Sequence, residues 1–153
     1  MIQDKGLDQT TDAVKNSHDT NDKDLIELAG YHAYRNYKTS EVIEIKGKDF
    51  EVKNTIHDPD SGFRALTVEN LETDEISIVY VGSEPNVQDW IFTNPMLLSD
   101  TPPQQIQDAI DYYDWVNDKI GDVSSITGNS LAGALTNAVS IENPVILYSY
   151  HNI

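Results

Sequence analysis

The feature that most constrains this fold is the alternation of strand and helix patterns from Ile76 onward. The run ISIVYVG (76–82) is almost wholly apolar, which is typical of a strand buried on both faces inside an α/β sheet. Four further elements are predicted in order: a helix over 104–121, a strand over 123–127, a small-residue helix over 131–141 and a strand over 143–150. This alternation predicts a mostly parallel sheet with flanking helices.

The N-terminal half carries a different pattern. Residues 24–37 place apolar side chains at helical spacing, and His32 with tyrosines 31, 34 and 37 is expected to complete the packing face. Three alternating runs separated by turn signals then predict an antiparallel β-hairpin region: 41–45, 50–56 and 62–68. Residues 1–22 are polar and predict a flexible leader, so the folded domain is expected to span 23–153.

Charge and composition exclude several classes of function. The chain has 26 acidic and 10 basic residues, a net charge of −16, which argues against nucleic-acid binding and against electrostatic docking to anionic membranes. The absence of cysteine excludes disulfides and thiolate chemistry. Neither a membrane span nor a secretory signal peptide is visible, so the sequence predicts a cytoplasmic protein or one exported without such a signal.

A loop at 57–62, HDPDSG, brings together three residue types that can ligate metals: His57, Asp58 and Asp60. The same residues are common in tight turns, where aspartate accepts backbone hydrogen bonds. Turn formation is the preferred interpretation, so the sequence predicts no metal site and no cofactor.

The stretch VSSITGNSLAGAL contains a motif that indicates catalytic chemistry. A predicted strand reaches Gly128, passes Ser130 and enters a helix at once, as in the nucleophile elbow of serine hydrolases. Residues two before and two after the serine must be small, and here they are Gly128 and Ala132. The backbone N–H of Leu131 would face a developing oxyanion. The alternative is that Ser130 only caps the helix.

Three stretches in order resemble the class 3 lipase-like group of α/β-hydrolases, which includes lipase-like domains of some secreted bacterial effectors. ISIVYVGSE is similar to the family's strand ending in a Gly-Thr or Gly-Ser turn, NVQDW to the segment after it, and ITGNSLAGAL to the family's G-H-S-L-G-G-A-L elbow. The resemblance covers about residues 24–150. It departs from the family pattern at Asn129, where histidine is usual, and at Ala132, where glycine is usual.

The resemblance implies a partial α/β-hydrolase fold and a site for acyl-ester hydrolysis, with lipids as candidate substrates. It makes Ser130 the nucleophile, Ser83 and the N–H of Leu131 the oxyanion hole, and Gly128, Ala132 and Gly133 the small residues that support the elbow.

A complete triad of this family also needs an acid and a histidine after the serine. Only Glu142 and His151 follow Ser130. Glu142 is expected about 18 Å away, at the far end of the next helix, while His151 follows the next strand and can reach the same edge. We therefore expect a truncated lipase-like domain that is inactive alone. Two alternatives stay open: a degenerate, non-catalytic hydrolase fragment, and an acidic protein-interaction module.

The last predicted strand has an apolar outer edge in such a partial sheet. Residues 144–150 are expected either to self-associate or to receive a strand from a partner chain. The N-terminal leader is the alternative cover for this edge.

Overall fold

Six strands and three helices make up the described part of the chain. The computed structural model describes residues 18–81, 103–129, 131–143 and 147–151. The helices are α1 (Asp22–Gly30), α2 (Pro103–Lys119) and α3 (Leu131–Glu142), with a 3-10 turn at His32–Tyr34. The strands are β1 (Val42–Ile45), β2 (Lys48–His57), β3 (Arg64–Asn70), β4 (Ile76–Tyr80), β5 (Val123–Asn129) and β6 (Leu147–His151).

The strands form one mixed sheet in the order β1-β2-β3-β4-β5-β6. β1 to β4 pair antiparallel as consecutive hairpins, whereas β4–β5 and β5–β6 pair parallel across α2 and α3. The fold is therefore α/β with flanking helices, but the prediction of a mostly parallel sheet is wrong. The physical reason is that short turns join β1 to β4, and a short turn can only return the chain antiparallel.

Two apolar clusters lie on opposite faces of the sheet. Alternate residues of β4 divide between them: Ile76, Ile78 and Tyr80 belong to one cluster, and Val79, with Val81 just after the strand, to the other. The first cluster packs against α2 and α3, and the second against α1. All five residues of β4 are buried, which agrees with its unbroken apolar sequence.

The first turn of α1 is fixed to the sheet by polar contacts. Asn21 and Asp24 form a reciprocal capping box, with 3.0 Å bonds in both directions. The Asp24 carboxylate also accepts a 2.7 Å bond from Nζ of Lys48, at the start of β2. Residues 18–22, which the sequence assigned to the leader, are thus part of the fold, and Thr20 is buried there. Residues 1–17 lie outside the described residues.

The helix predicted over 24–37 ends earlier, at Gly30. Beyond the 3-10 turn, the Tyr37 hydroxyl lies 2.7 Å from Nδ1 of His32, and burial lowers the pKa of this imidazole. His32 is buried, and Tyr37 packs against the apolar cluster on the α1 side of the sheet, as the sequence predicts. The expectation is wrong for Tyr31 and Tyr34, which are exposed, because the backbone leaves the α-helical path and their side chains turn away from the sheet.

The loop between β2 and β3 is a tight turn. The Asp58 carboxylate accepts a 2.8 Å bond from the N–H of Asp60 and a longer one from the N–H of Ser61. Gly62 takes a positive φ of 78°, which glycine adopts at little cost. Within the described ranges, no three His, Asp or Glu side chains gather as metal ligands. The described helices also include none with the length and apolar content needed to cross a membrane.

Candidate functional site

The junction between β5 and α3 contains the predicted nucleophile motif. β5 ends at Asn129 and α3 begins at Leu131, the position at which the sequence predicts the first helical residue. One residue separates the strand from the helix. That residue, Ser130, lies outside the described residues, and so does Ser83 with the rest of 82–102.

The backbones of β5 and α3 approach each other closely at Gly128. A Cβ on Gly128 would lie 2.5 Å from the carbonyl oxygen of Ala132 and 2.5 Å from Oγ1 of Thr136. A Cβ carbon does not approach other heavy atoms to within 3.0 Å in proteins, so the junction requires glycine at this position. Ala132 is itself buried, with 1% of its surface exposed, which leaves little room for a larger side chain.

Thr136 is part of this contact, and the sequence analysis did not single it out. Its side chain is fully buried and its hydroxyl donates a 3.0 Å bond to the carbonyl of Ala132, one turn earlier in α3. The spacing of four residues from Ala132 is the signal that places both residues on the helix face turned toward β5.

Asn129 occupies the position at which the resembled family has histidine. Its side chain is buried on the α1 side of the sheet, where Nδ2 donates a long 3.4 Å bond to the carbonyl of Ala29. Two residues earlier, Thr127 makes a similar 3.5 Å contact to the carbonyl of Leu25. Both long contacts run from the end of β5 to α1, so the side chain of Asn129 lies against α1.

The carboxyl ends of the parallel strands share one edge of the sheet. Tyr80 of β4, Gly128 of β5 and Tyr150 of β6 lie in register across the three strands. Asn129 pairs in register with His151, so the backbone of His151 lies beside the residue that precedes Ser130. Ligand sites of open α/β sheets lie outside this edge.

Glu142 lies at the other end of α3, as its last residue. A helix of 12 residues spans about 18 Å, which is too far for this carboxylate to orient a histidine beside the junction. The sequence expectation for Glu142 therefore agrees with the helix bounds.

Tyr80 is a titratable residue that pairs with Gly128 in the sheet register. It is fully buried and its hydroxyl donates a 2.9 Å bond to the carbonyl of Ala109 in α2. Burial raises the pKa of Tyr80 well above its ordinary value, with smaller contributions from nearby tyrosines and Asp114. The phenol is therefore neutral at physiological pH and packs the core under the site without taking part in proton transfer.

Comparisons with known proteins find a similar fold among solved structures. No protein-family model matches the sequence, and no curated protein matches it either. Among solved structures, the fold is similar to a fungal lipase described in a lipase–inhibitor complex, with 16% identity and a TM-score of 0.35. The match covers 61% of this chain and 41% of the lipase, so this chain spans less than half of that protein's length. A likeness at this level carries no argument about function.

Proposed function

We propose that this chain is a lipase-like serine hydrolase domain that acts on acyl esters, built on a partial α/β-hydrolase fold with Ser130 as its nucleophile. The observation that carries the proposal is the junction itself. A buried parallel strand passes into a helix through one residue, and Gly128 and Ala132 lie too close together for a side chain on the glycine. A nucleophile elbow needs this close approach, whereas a serine that only caps a helix does not.

The proposed chemistry follows from the helix and the strands around the junction. Oγ of Ser130 attacks the ester carbonyl while a base takes its proton, which gives a tetrahedral intermediate. The intermediate collapses, the alcohol leaves with that proton, and water then hydrolyses the acyl-enzyme. The N-terminus of α3 carries a partial positive charge that favours the negative charge on the substrate oxygen. We assign the oxyanion hole to the N–H of Leu131 and to Ser83, which follows β4 along the chain.

A complete triad also needs a base and an acid besides Ser130. His151 lies in register with Asn129 and is the candidate base from this chain, while Glu142 is at the far end of α3. We propose that a carboxylate from another segment or another chain completes the triad. The chain alone is then expected to hydrolyse esters slowly, because the oxyanion hole and substrate binding still contribute some rate without the full triad.

A fluorophosphonate probe tests the nucleophile directly. We expect the probe to label the wild-type chain, and Ser130→Ala to abolish labelling because the attacking oxygen is gone. Ser124→Ala is the matched control, since Ser124 is an exposed serine on the same strand and should label normally. Mass spectrometry of the labelled peptide checks the site.

Two outcomes would contradict the proposal: labelling that persists in Ser130→Ala, or an absence of labelling in the wild-type chain at any probe concentration. The second outcome would favour the alternatives, a degenerate hydrolase fold without catalysis or an acidic interaction module.

A further inference from the structure

Both arginines of the chain line one cavity. The sequence contains only two, Arg35 and Arg64, and they are 29 positions apart. The fold brings them together in a cavity of about 150 Å³ between the segment after α1 and the ends of β2 and β3. His57, Asn36 and Thr55 add further polar groups to the lining.

The charge of this cavity is opposite to that of the chain. The whole sequence has 26 acidic residues, yet none of the described residues that line the cavity is Asp or Glu. In the described part of the chain, neither arginine forms an ion pair with a carboxylate. An anion is therefore repelled by the acidic surface elsewhere and attracted at this cavity.

The two arginines are positioned by different contacts. Arg35 stacks over the ring of Tyr31, with its guanidinium carbon 4.4 Å from the ring centre, and one of its nitrogens donates to the Tyr31 hydroxyl. Arg64 begins β3 in register with His57, and its carbonyl accepts a 3.0 Å bond from the N–H of Val81. Stacking on an aromatic ring leaves the outer N–H groups of a guanidinium free to bind.

The cavity lies at the same edge of the sheet as the proposed nucleophile. Ala65 pairs with Tyr80, and Tyr80 pairs with Gly128, so Arg64 is two strands away from the β5–α3 junction. Neighbouring strands are about 4.8 Å apart, which places the two backbones about 10 Å from each other. This backbone separation is comparable to the length of one small ligand.

We propose that this cavity binds a phosphate group. Two separate guanidinium forks, together with amide, hydroxyl and imidazole donors, present more N–H and O–H groups than the two oxygens of a carboxylate can accept. A phosphate offers more oxygens and carries more charge, and arginine binds it with two parallel hydrogen bonds. The further step, that this phosphate belongs to the ester substrate of Ser130, rests on the proposed function.

Binding of soluble ligands to the Ser130→Ala chain tests the phosphate site without depending on catalysis. The probes are inorganic phosphate, dihexanoyl phosphatidic acid below its micelle concentration, and dihexanoylglycerol, which is the same lipid without phosphate. We expect both phosphate ligands to shift amide resonances around 35–37, 55–57 and 64–66, and dihexanoylglycerol to leave them unchanged. Phosphatidic acid binding more tightly than free phosphate would identify a lipid as the source of the group.

Charge variants show whether the arginines are responsible. Arg35→Met and Arg64→Met keep most of the aliphatic stem, and each should weaken phosphate affinity about tenfold or more, because a charge-assisted hydrogen-bonding partner is lost. Arg64→Lys should fall between Arg64→Met and wild type, since lysine keeps the charge but not the planar fork. Lys23→Ala is the matched control: it removes one exposed positive charge outside the cavity and should bind as wild type.

The proposal is overturned if neither phosphate ligand binds, if dihexanoylglycerol binds equally well, or if Lys23→Ala weakens binding as much as the arginine variants do. Circular dichroism of each variant separates loss of binding from loss of folding. Ester hydrolysis is measured separately on the Ser130 chain, so a failed phosphate site and a failed nucleophile give different results.

Discussion

At the scale of single residues, Gly128 carries the sharpest steric constraint at the candidate site. A Cβ atom on Gly128 would lie 2.5 Å from the carbonyl oxygen of Ala132 and 2.5 Å from the hydroxyl oxygen of Thr136. The carbonyl of Ala132 is backbone, so it cannot move without shifting the start of α3. The tight junction is therefore a property of this one position in the strand.

We expect Gly128→Ala to lower the free energy of unfolding by about 2 kcal/mol or more, because a methyl group added to a packed site strains its neighbours. Gly121→Ala is the matched control. A Cβ there meets the Cδ1 atom of Ile76 at 2.8 Å, which is the end of a flexible side chain that can rotate away. Urea denaturation of both variants gives the comparison, and equal losses of stability would show that the junction is not tight.

At the scale of elements, a buried ion pair links the first turn of α1 to the sheet. The carboxylate of Asp24 is fully buried and Lys48 is nearly so, with 2.7 Å between their charged atoms. Nζ of Lys48 donates a second bond, of 2.9 Å, to the carbonyl of Asp19. The first turn of α1, the segment before it and the start of β2 thus share one set of contacts.

Lys48→Met is expected to destabilise the fold by about 3–5 kcal/mol, because it leaves the Asp24 carboxylate buried without its positive partner. The double variant Asp24→Asn with Lys48→Met should lose less than the sum of the two single variants, since no unpaired charge is then buried. Lys53→Met is the control: its pair with Glu51 is partly exposed, and the expected loss is below about 1 kcal/mol. Additive losses in the double variant would refute coupling between the two residues.

At the scale of the whole molecule, the net negative charge opposes self-association, whereas the edge strand β6 favours it. The net charge of −16 keeps copies of the chain apart, and this repulsion reaches about 10 Å at moderate salt. In the described sheet, β6 pairs only with β5, so its other side is an edge that can accept a strand. Salt screens the repulsion and leaves strand pairing unaffected.

We therefore expect the chain to self-associate through residues 144–150 as salt concentration rises, which sedimentation velocity at low and high salt can measure. Ser149→Lys places a charge on β6 and should shift the distribution back toward monomer. A monodisperse monomer at both salt concentrations, with residues 144–150 protected from hydrogen exchange, would reject this prediction.

Most of the elements could be predicted from the sequence, because their patterns depend on local spacing. Strands β1 to β5 and helices α2 and α3 fall where alternation, helical periodicity and turn residues predict them, and the tight turn at Asp58 follows from its residue types. The sequence also determined that α3 begins directly after the serine motif, since the small residues there permit a close strand-to-helix passage.

Features that depend on distant parts of the chain could not be predicted from local patterns. The balance of parallel and antiparallel pairs, the inclusion of 18–22 in the fold and the meeting of Arg35 with Arg64 join residues that no local pattern relates. Periodicity shows that a side chain lies on one face of a helix or strand, but it does not show which other element packs against that face. That choice is made by packing over the whole sheet, because burial is favourable against any apolar surface of suitable shape.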